Sequence, residues 1–288
     1  MNTLRNRFED EACETRRGRD NATVVGIARV LDAQGEEGGD VASLEATFAL
    51  GALCARSNPE VAAHCLLGVA QSADRPDLRD GACDLLFSVF AASSAEALPS
   101  SLIERAKKVA DDDVIIGIAD YALAFRLEVE DPERSIRLYE ECIELSPENG
   151  RCRLSAMVWL AGLLRESDPE RAIELCEKVV DLSGEDDLRS MAAALLVWTI
   201  GLGDPERALP FCRLAIELSG DELRSIMLEE RALLWFAIDE FRPYALQIVA
   251  EVMEHAEGEA RKTAVAMTRF FAKVLQEEEI MQTDVQDE

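Results

Sequence analysis

Cysteine and histidine are the side chains that most readily carry out chemistry, and in this sequence their spacing argues against it. Cysteines stand at 13, 54, 65, 83, 142, 152, 176 and 212, and histidines at 64 and 255 only. A zinc site gathers thiolates and imidazoles at short, recognisable spacings; here no C-x-x-C pair occurs and neither histidine flanks a cysteine at ligand spacing. Several cysteines instead fall within apolar helical stripes, where a thiol acts as a small hydrophobe. They are expected to be reduced, buried and structural. Acidic side chains abound, with 57 Asp and Glu, but no histidine sits in a motif that would mark a base or nucleophile relay. The glycine-rich stretch GEEGGD (35–40) lacks the lysine and following Ser or Thr of a phosphate loop. The expectation is therefore no enzyme: no catalytic residue, no metal and no cofactor.

Two other residue sets could bind rather than react. Arginine recurs near the start of successive helical segments, at Arg79, Arg153, Arg189 and Arg224. Stacked, these would form a cationic ladder able to hold a carboxylate through forked hydrogen bonds. The competing reading is local pairing with the acids crowding the same turns, Asp77, Asp80, Glu148, Glu185, Asp186, Asp221 and Glu222, and it is the favoured one because charges at helix ends are mostly solvated and weakly paired. The second set is Trp159, Trp198 and Trp235, which recur about once per repeat. Tryptophan suits an anchor in a binding hot spot, yet at repeat spacing it more often fills the core between repeats.

These residues are positioned by a repeat. DPERSIRLYEECIELSPENG from Asp131, DPERAIELCEKVVDLSGEDD from Asp168 and DPERALPFCRLAIELSGDEL from Asp204 start 37 and 36 residues apart, a period that signifies stacked helical units. Each begins as a helix begins. Asp accepts from free N–H groups, Pro occupies the first helical position where its missing donor is harmless, and Glu faces the positive end of the dipole. An apolar stripe follows at fixed offsets: Ser135, Ala172 and Ala208 at 4; Tyr139, Cys176 and Cys212 at 8; Cys142, Val179 and Ala215 at 11; Ile143, Val180 and Ile216 at 12. The same ruler places Ala62, Leu66, Val69 and Ala70 after Asn58, and Ala245, Val249, Val252 and Met253 downstream. A degenerate unit, with LPSSLIERAKKVADDD as its second helix, lies between the first copy and Asp131. Every gap holds a first helix: 41–57, 77–93, 113–129, 151–167, 187–203 and 222–238. The unit is thus a helical hairpin, whose apolar face only a neighbour can cover.

On these residues the chain resembles the tetratricopeptide repeat (TPR) family, over 41–256 and most strongly over 131–220. Ala172, Cys176 and Val179 take the small, large and small positions of the family's second helix, as do Ala208, Cys212 and Ala215, and Ser135, Tyr139 and Cys142; Pro147 matches the terminal proline. The period is two to three residues longer than the family's ~34, and the family's first-helix glycine and tyrosine are not clearly placed. The resemblance implies an all-α fold, a right-handed α–α superhelix of about six hairpins whose concave wall is lined by first helices. It also implies a function, a protein–protein adaptor or scaffold that takes a peptide or helix of a partner in that groove. The lysines and asparagines that some chaperone-binding relatives use as a carboxylate clamp are nearly absent from the first helices here. An alternative is a peptide- or metabolite-sensing regulatory protein without catalysis of its own.

Outside the array, 1–40 reads as a charged segment with one helix, Asn21 to Gln34, and a glycine-rich linker. Residues 257–288 read as a capping helix, Gly258 to Ile280, followed by a disordered acidic tail. The formal charge of −27 would repel a phosphate backbone and an anionic membrane surface. No apolar stretch reaches the ~20 residues of a membrane span. With no secretory signal pattern at the N-terminus, these features predict a cytoplasmic protein of undefined oligomeric state whose partner is protein or peptide, not nucleic acid or membrane.

Overall fold

The structure is a computed structural model and describes residues 41–72, 75–92, 97–200, 203–218 and 232–286. Every regular element among the described residues is helical. In chain order the helices are α1 (Val41–Cys54), α2 (Pro59–Ala70), α3 (Pro76–Ala92), α4 (Ser100–Val109), α5 (Asp113–Leu127), α6 (Pro132–Leu145), α7 (Arg151–Leu164), α8 (Pro169–Leu182), α9 (Asp186–Ile200) and α10 (Pro205–Leu218). A short 3₁₀ turn (Asp239–Phe241) then leads into α11 (Arg242–His255) and α12 (Gly258–Gln286).

The second helices start where the repeated motif places them. Asp131 accepts from the Arg134 amide at 3.1 Å, Asp168 from Arg171 at 3.2 Å, Asp204 from Arg207 at 3.0 Å, and Asn58 from Val61 at 3.2 Å. Each cap is followed at once by proline, whose fixed φ suits the first helical residue. The stripe behind the caps is the core. Offset 4 is closed off at Ala62, Ser135, Ala172, Ala208 and Ala245, and offset 8 at Leu66, Tyr139, Cys176, Cys212 and Val249. Offset 4 is small because the neighbouring backbone passes close by: the Ser135 hydroxyl donates to the Ala124 carbonyl of α5 at 2.8 Å.

The described residues form two compact units, divided within α7 after Ala156. In the first, α1 packs on α2 and α3, α2 on α3, α3 on α5, α4 on α5, and α5 most extensively on α6. Its centre carries Phe87, Tyr121 and Tyr139 from α3, α5 and α6, with successive ring centroids 4.9 and 5.8 Å apart, the tilted and edge-on geometries aromatic pairs prefer. The second unit repeats the serial scheme: α8 on α9, α9 on α10, α10 on α11 and α11 on α12. Phe236 stacks face to face on Phe271 of α12 at 3.8 Å, and the Arg242 guanidinium lies 5.1 Å from the Phe236 ring centre. The turn from α11 into α12 passes through Gly258 at φ 61, a left-handed conformation that a Cβ would penalise.

The first five of the expected first helices appear as α1, α3, α5, α7 and α9; residues 93, 201 and 202 of their expected segments lie outside the described residues. Of the sixth, 222–238, residues 232–236 are helical and 237–238 form a turn, while 222–231 lie outside the described residues, as do the N-terminal helix and linker of 1–40. The last helix departs from its expected limit. It runs to Gln286 rather than ending near Ile280, because the sequence beyond contains neither glycine nor proline to stop it.

Candidate partner-binding site

The recurrent arginines have partners within the chain wherever they are described, Arg153 and Arg189 locally and Arg79 on the next hairpin. Arg79, on α3, forms an ion pair with Asp112, the residue whose other carboxylate oxygen caps α5 by accepting from the Val114 amide at 2.9 Å. Arg153, in the first turn of α7, donates to the Ser146 carbonyl at 3.2 Å and so ties the start of α7 to the loop before it. Arg189 lies 3.6 Å from Asp186 one turn earlier on α9. Arg224 lies outside the described residues. The acids that hold these arginines differ in part from the sequence neighbours: Asp77 pairs with Arg75, which also reaches Glu45, leaving Arg79 to the next hairpin's cap. That doubly paired Arg75 holds the exposed Asp77 carboxyl down at about 2.

The tryptophans fall into two environments. Trp235 is fully buried. Trp159 on α7 and Trp198 on α9 are half-buried, and Trp198 packs with Val180, Phe211 and Leu214 onto a small core of Ala193, Ala194 and Ala215. Trp198 thus lies against a core drawn from α9 and α10, and the residue stays half-buried.

A network that the sequence reading did not single out lies in the first unit. Asp120, in the middle of α5, is fully buried. The Lys107 ammonium of α4 stands 2.6 Å from one of its oxygens and 3.1 Å from Glu141 of α6, so three consecutive helices share one cation. Neither Asp120 oxygen accepts a well-directed hydrogen bond from the described residues; the contact is chiefly ionic. Burial raises the Asp120 carboxyl, and Lys107 opposes that rise without cancelling it. Close by, Tyr139 of α6 donates to Glu128 at 2.5 Å, and burial raises that carboxyl also, the hydrogen bond opposing it.

Two clefts open on this unit. One, of about 270 Å³, runs between α2 and α4 over Phe90, with His64 Nε2 3.5 Å from Arg105 at its edge. The other, of about 500 Å³, is lined by Arg79, Asp112, Val114, Leu145, Ser146 and Pro147. Its polar wall is acidic, with Asp111 and Asp113 beside the Asp112 that pairs with Arg79 and caps α5. Gly117 lets the Ser146 side chain lie against α5: a Cβ there would stand 2.8 Å from the Ser146 hydroxyl. Among the described residues no three His, Cys, Asp or Glu side chains converge as metal ligands, and no helix is long and apolar enough to cross a membrane.

Sequence signals for the buried network exist but are faint. Asp120 interrupts the otherwise apolar run IGIADYALA, which marks a carboxylate on a helix with no polar face. Its cation is thirteen residues upstream on another helix, at a distance only the packing defines. The chain matches no family model, and no curated protein matches it.

Proposed function

We propose that the chain is a TPR-like adaptor that holds a peptide or helix of a protein partner against the first helices of its hairpins, without catalysis of its own. The observation that carries this reading is the repetition itself: the same cap and stripe fix successive hairpins in one register, and the first helices α7 and α9 keep an incompletely covered tryptophan each. A ligand that completes the burial of Trp159 or Trp198 gains apolar area at little ordering cost, because each indole already sits in a helix. The arginines are secondary in this scheme. A ligand carboxylate reaching Arg79 or Arg153 would first have to displace Asp112 or a backbone carbonyl.

The test is selection of peptides from a random display library on the full chain, followed by binding measurements with Trp159→Ala and Trp198→Ala proteins whose helicity is checked. Enriched peptides should share a sequence pattern, and at least one of the two substitutions should weaken them about tenfold, the equivalent of roughly 1.4 kcal/mol. Failure to enrich any peptide, or peptides indifferent to both substitutions, would overturn the proposal. Stabilisation by a small metabolite in a thermal-shift screen, with no peptide bound, would replace the adaptor by a sensor.

A further inference from the structure

Cys142, in the last turn of α6, and Cys152, second residue of α7, face each other across the loop that joins these helices, with their sulfurs 3.4 Å apart. We propose that this pair is an oxidation site, closing to an intramolecular disulfide when the protein meets a hydroperoxide. The geometry is close to that of the product: reaching the ~2.05 Å of an S–S bond requires the sulfurs to approach by about 1.4 Å. The loop between them contains its own turn, with the Gly150 amide donating to the Pro147 carbonyl at 2.9 Å. The two thiols therefore start side by side in a constrained segment.

Access and charge set the course of the reaction. Cys142 is fully buried and Cys152 is 8% exposed. The Ser146 hydroxyl stands 3.8 Å from the Cys142 sulfur and also lines the cleft of about 500 Å³, so a small oxidant approaches within one residue of the pair. Cys152 lies in a first helical turn, which opens at lower cost than the helix interior and whose free N–H groups favour a thiolate. Against this, the facing Cys142 thiol and burial push the Cys152 thiol up, with Asp120 adding in the same direction. Attack is consequently slow, and the neutral product suits the buried site as well as the neutral thiols do.

The step balances as follows. The Cys152 thiolate attacks one peroxide oxygen, the O–O bond breaks, and the alcohol or water leaves with the thiol's proton. The Cys142 sulfur then displaces hydroxide from the resulting sulfenic acid, and that hydroxide leaves as water with the Cys142 proton. Two thiols and one hydroperoxide give one disulfide, one alcohol and one water.

The test treats the folded full-length chain with hydrogen peroxide, alkylates remaining thiols in denaturant, digests with trypsin and identifies linked peptides by mass. The expected product joins the peptide 138–151 to the dipeptide 152–153, with alkylation lost at both cysteines and retained at Cys54, Cys65, Cys83, Cys176 and Cys212. Retention of both thiols after prolonged exposure, or a dominant pairing with any other cysteine, overturns the proposal. In a Cys152→Ala protein the linked species should vanish. Should that variant fail to fold, the wild-type map alone decides.

Discussion

Asp120 places a fully buried carboxyl in the middle of α5. A carboxylate removed from water is costly unless paired, and here the pairing depends on one ammonium shared with Glu141. The two ways of breaking the pair are unequal. Asp120→Asn removes the buried charge and leaves Lys107, which is part-exposed, with Glu141; its effect should be small. Lys107→Ala strands the charge and should cost about 3 kcal/mol at neutral pH, the low end for a broken buried pair because Lys107 retains some solvent contact. The sign of the pH dependence follows from Asp120 being raised on folding. A carboxyl raised in the folded state contributes most below its unfolded value, and that contribution is lost as pH rises through the folded value. Without Lys107 the folded value rises further, so the penalty should shrink as the pH is lowered into the range where Asp120 takes up its proton. Urea unfolding of both proteins across that range measures it. A pH-independent penalty, or a Lys107→Ala/Asp120→Asn double variant no more stable than Lys107→Ala, would refute the account.

At the scale of the element, the hairpins are specified by a few local rules acting together. Four second helices, α2, α6, α8 and α10, begin with an Asp or Asn cap and a proline, and an apolar stripe then turns one face inward; α4 and α11 start without a side-chain cap. Replacing one cap should therefore have a bounded effect. Asp168→Ala removes the bond to the Arg171 amide and should lower stability by about 1 kcal/mol, while Asp168→Asn should lose only a small part of that. Equal losses in the two variants, read from denaturant midpoints, would mean that the carboxylate acts through something other than capping. These same rules explain why the second helices and their buried offsets could be read from residues alone: cap, proline and stripe all lie within fifteen consecutive positions. What was not legible depends on distances between elements. Arg79 chose Asp112 over its sequence neighbours, Cys142 met Cys152 across a loop, and Asp120 found Lys107 on a preceding helix. The far end of α12 escaped for a different reason. Its last residues carry no cap signal, and a helix without one stops where packing and solvent balance rather than at a marked residue.

For the molecule as a whole, charge is the dominant global quantity. The described basic residues are heavily committed: Arg75, Arg79, Lys107, Arg207, Arg213 and Arg242 all contact carboxylates, and Arg213 and Arg242 do so bidentately through Glu251 and Glu278. The formal charge of −27 is thus a surplus of carboxylates left after these pairings, and folding brings that surplus together. Salt acts on both terms in opposite directions. It weakens the exposed pairs, which contribute little to begin with, and it screens repulsion between carboxylates separated by more than the Debye length, which falls from about 10 Å at 0.1 M to about 3 Å at 1 M. Repulsion is summed over many pairs, whereas the attractive contacts are few and short and hence less screened. Sodium chloride should therefore raise the thermal midpoint by about 2–4 °C, the shift that roughly 1 kcal/mol produces in a chain of this size. Sodium perchlorate, at matched ionic strength, separates screening from surface exclusion of the salt, since only screening is common to both. A midpoint that falls with sodium chloride would mean that the paired arginines, not the surplus carboxylates, govern the electrostatics of the fold.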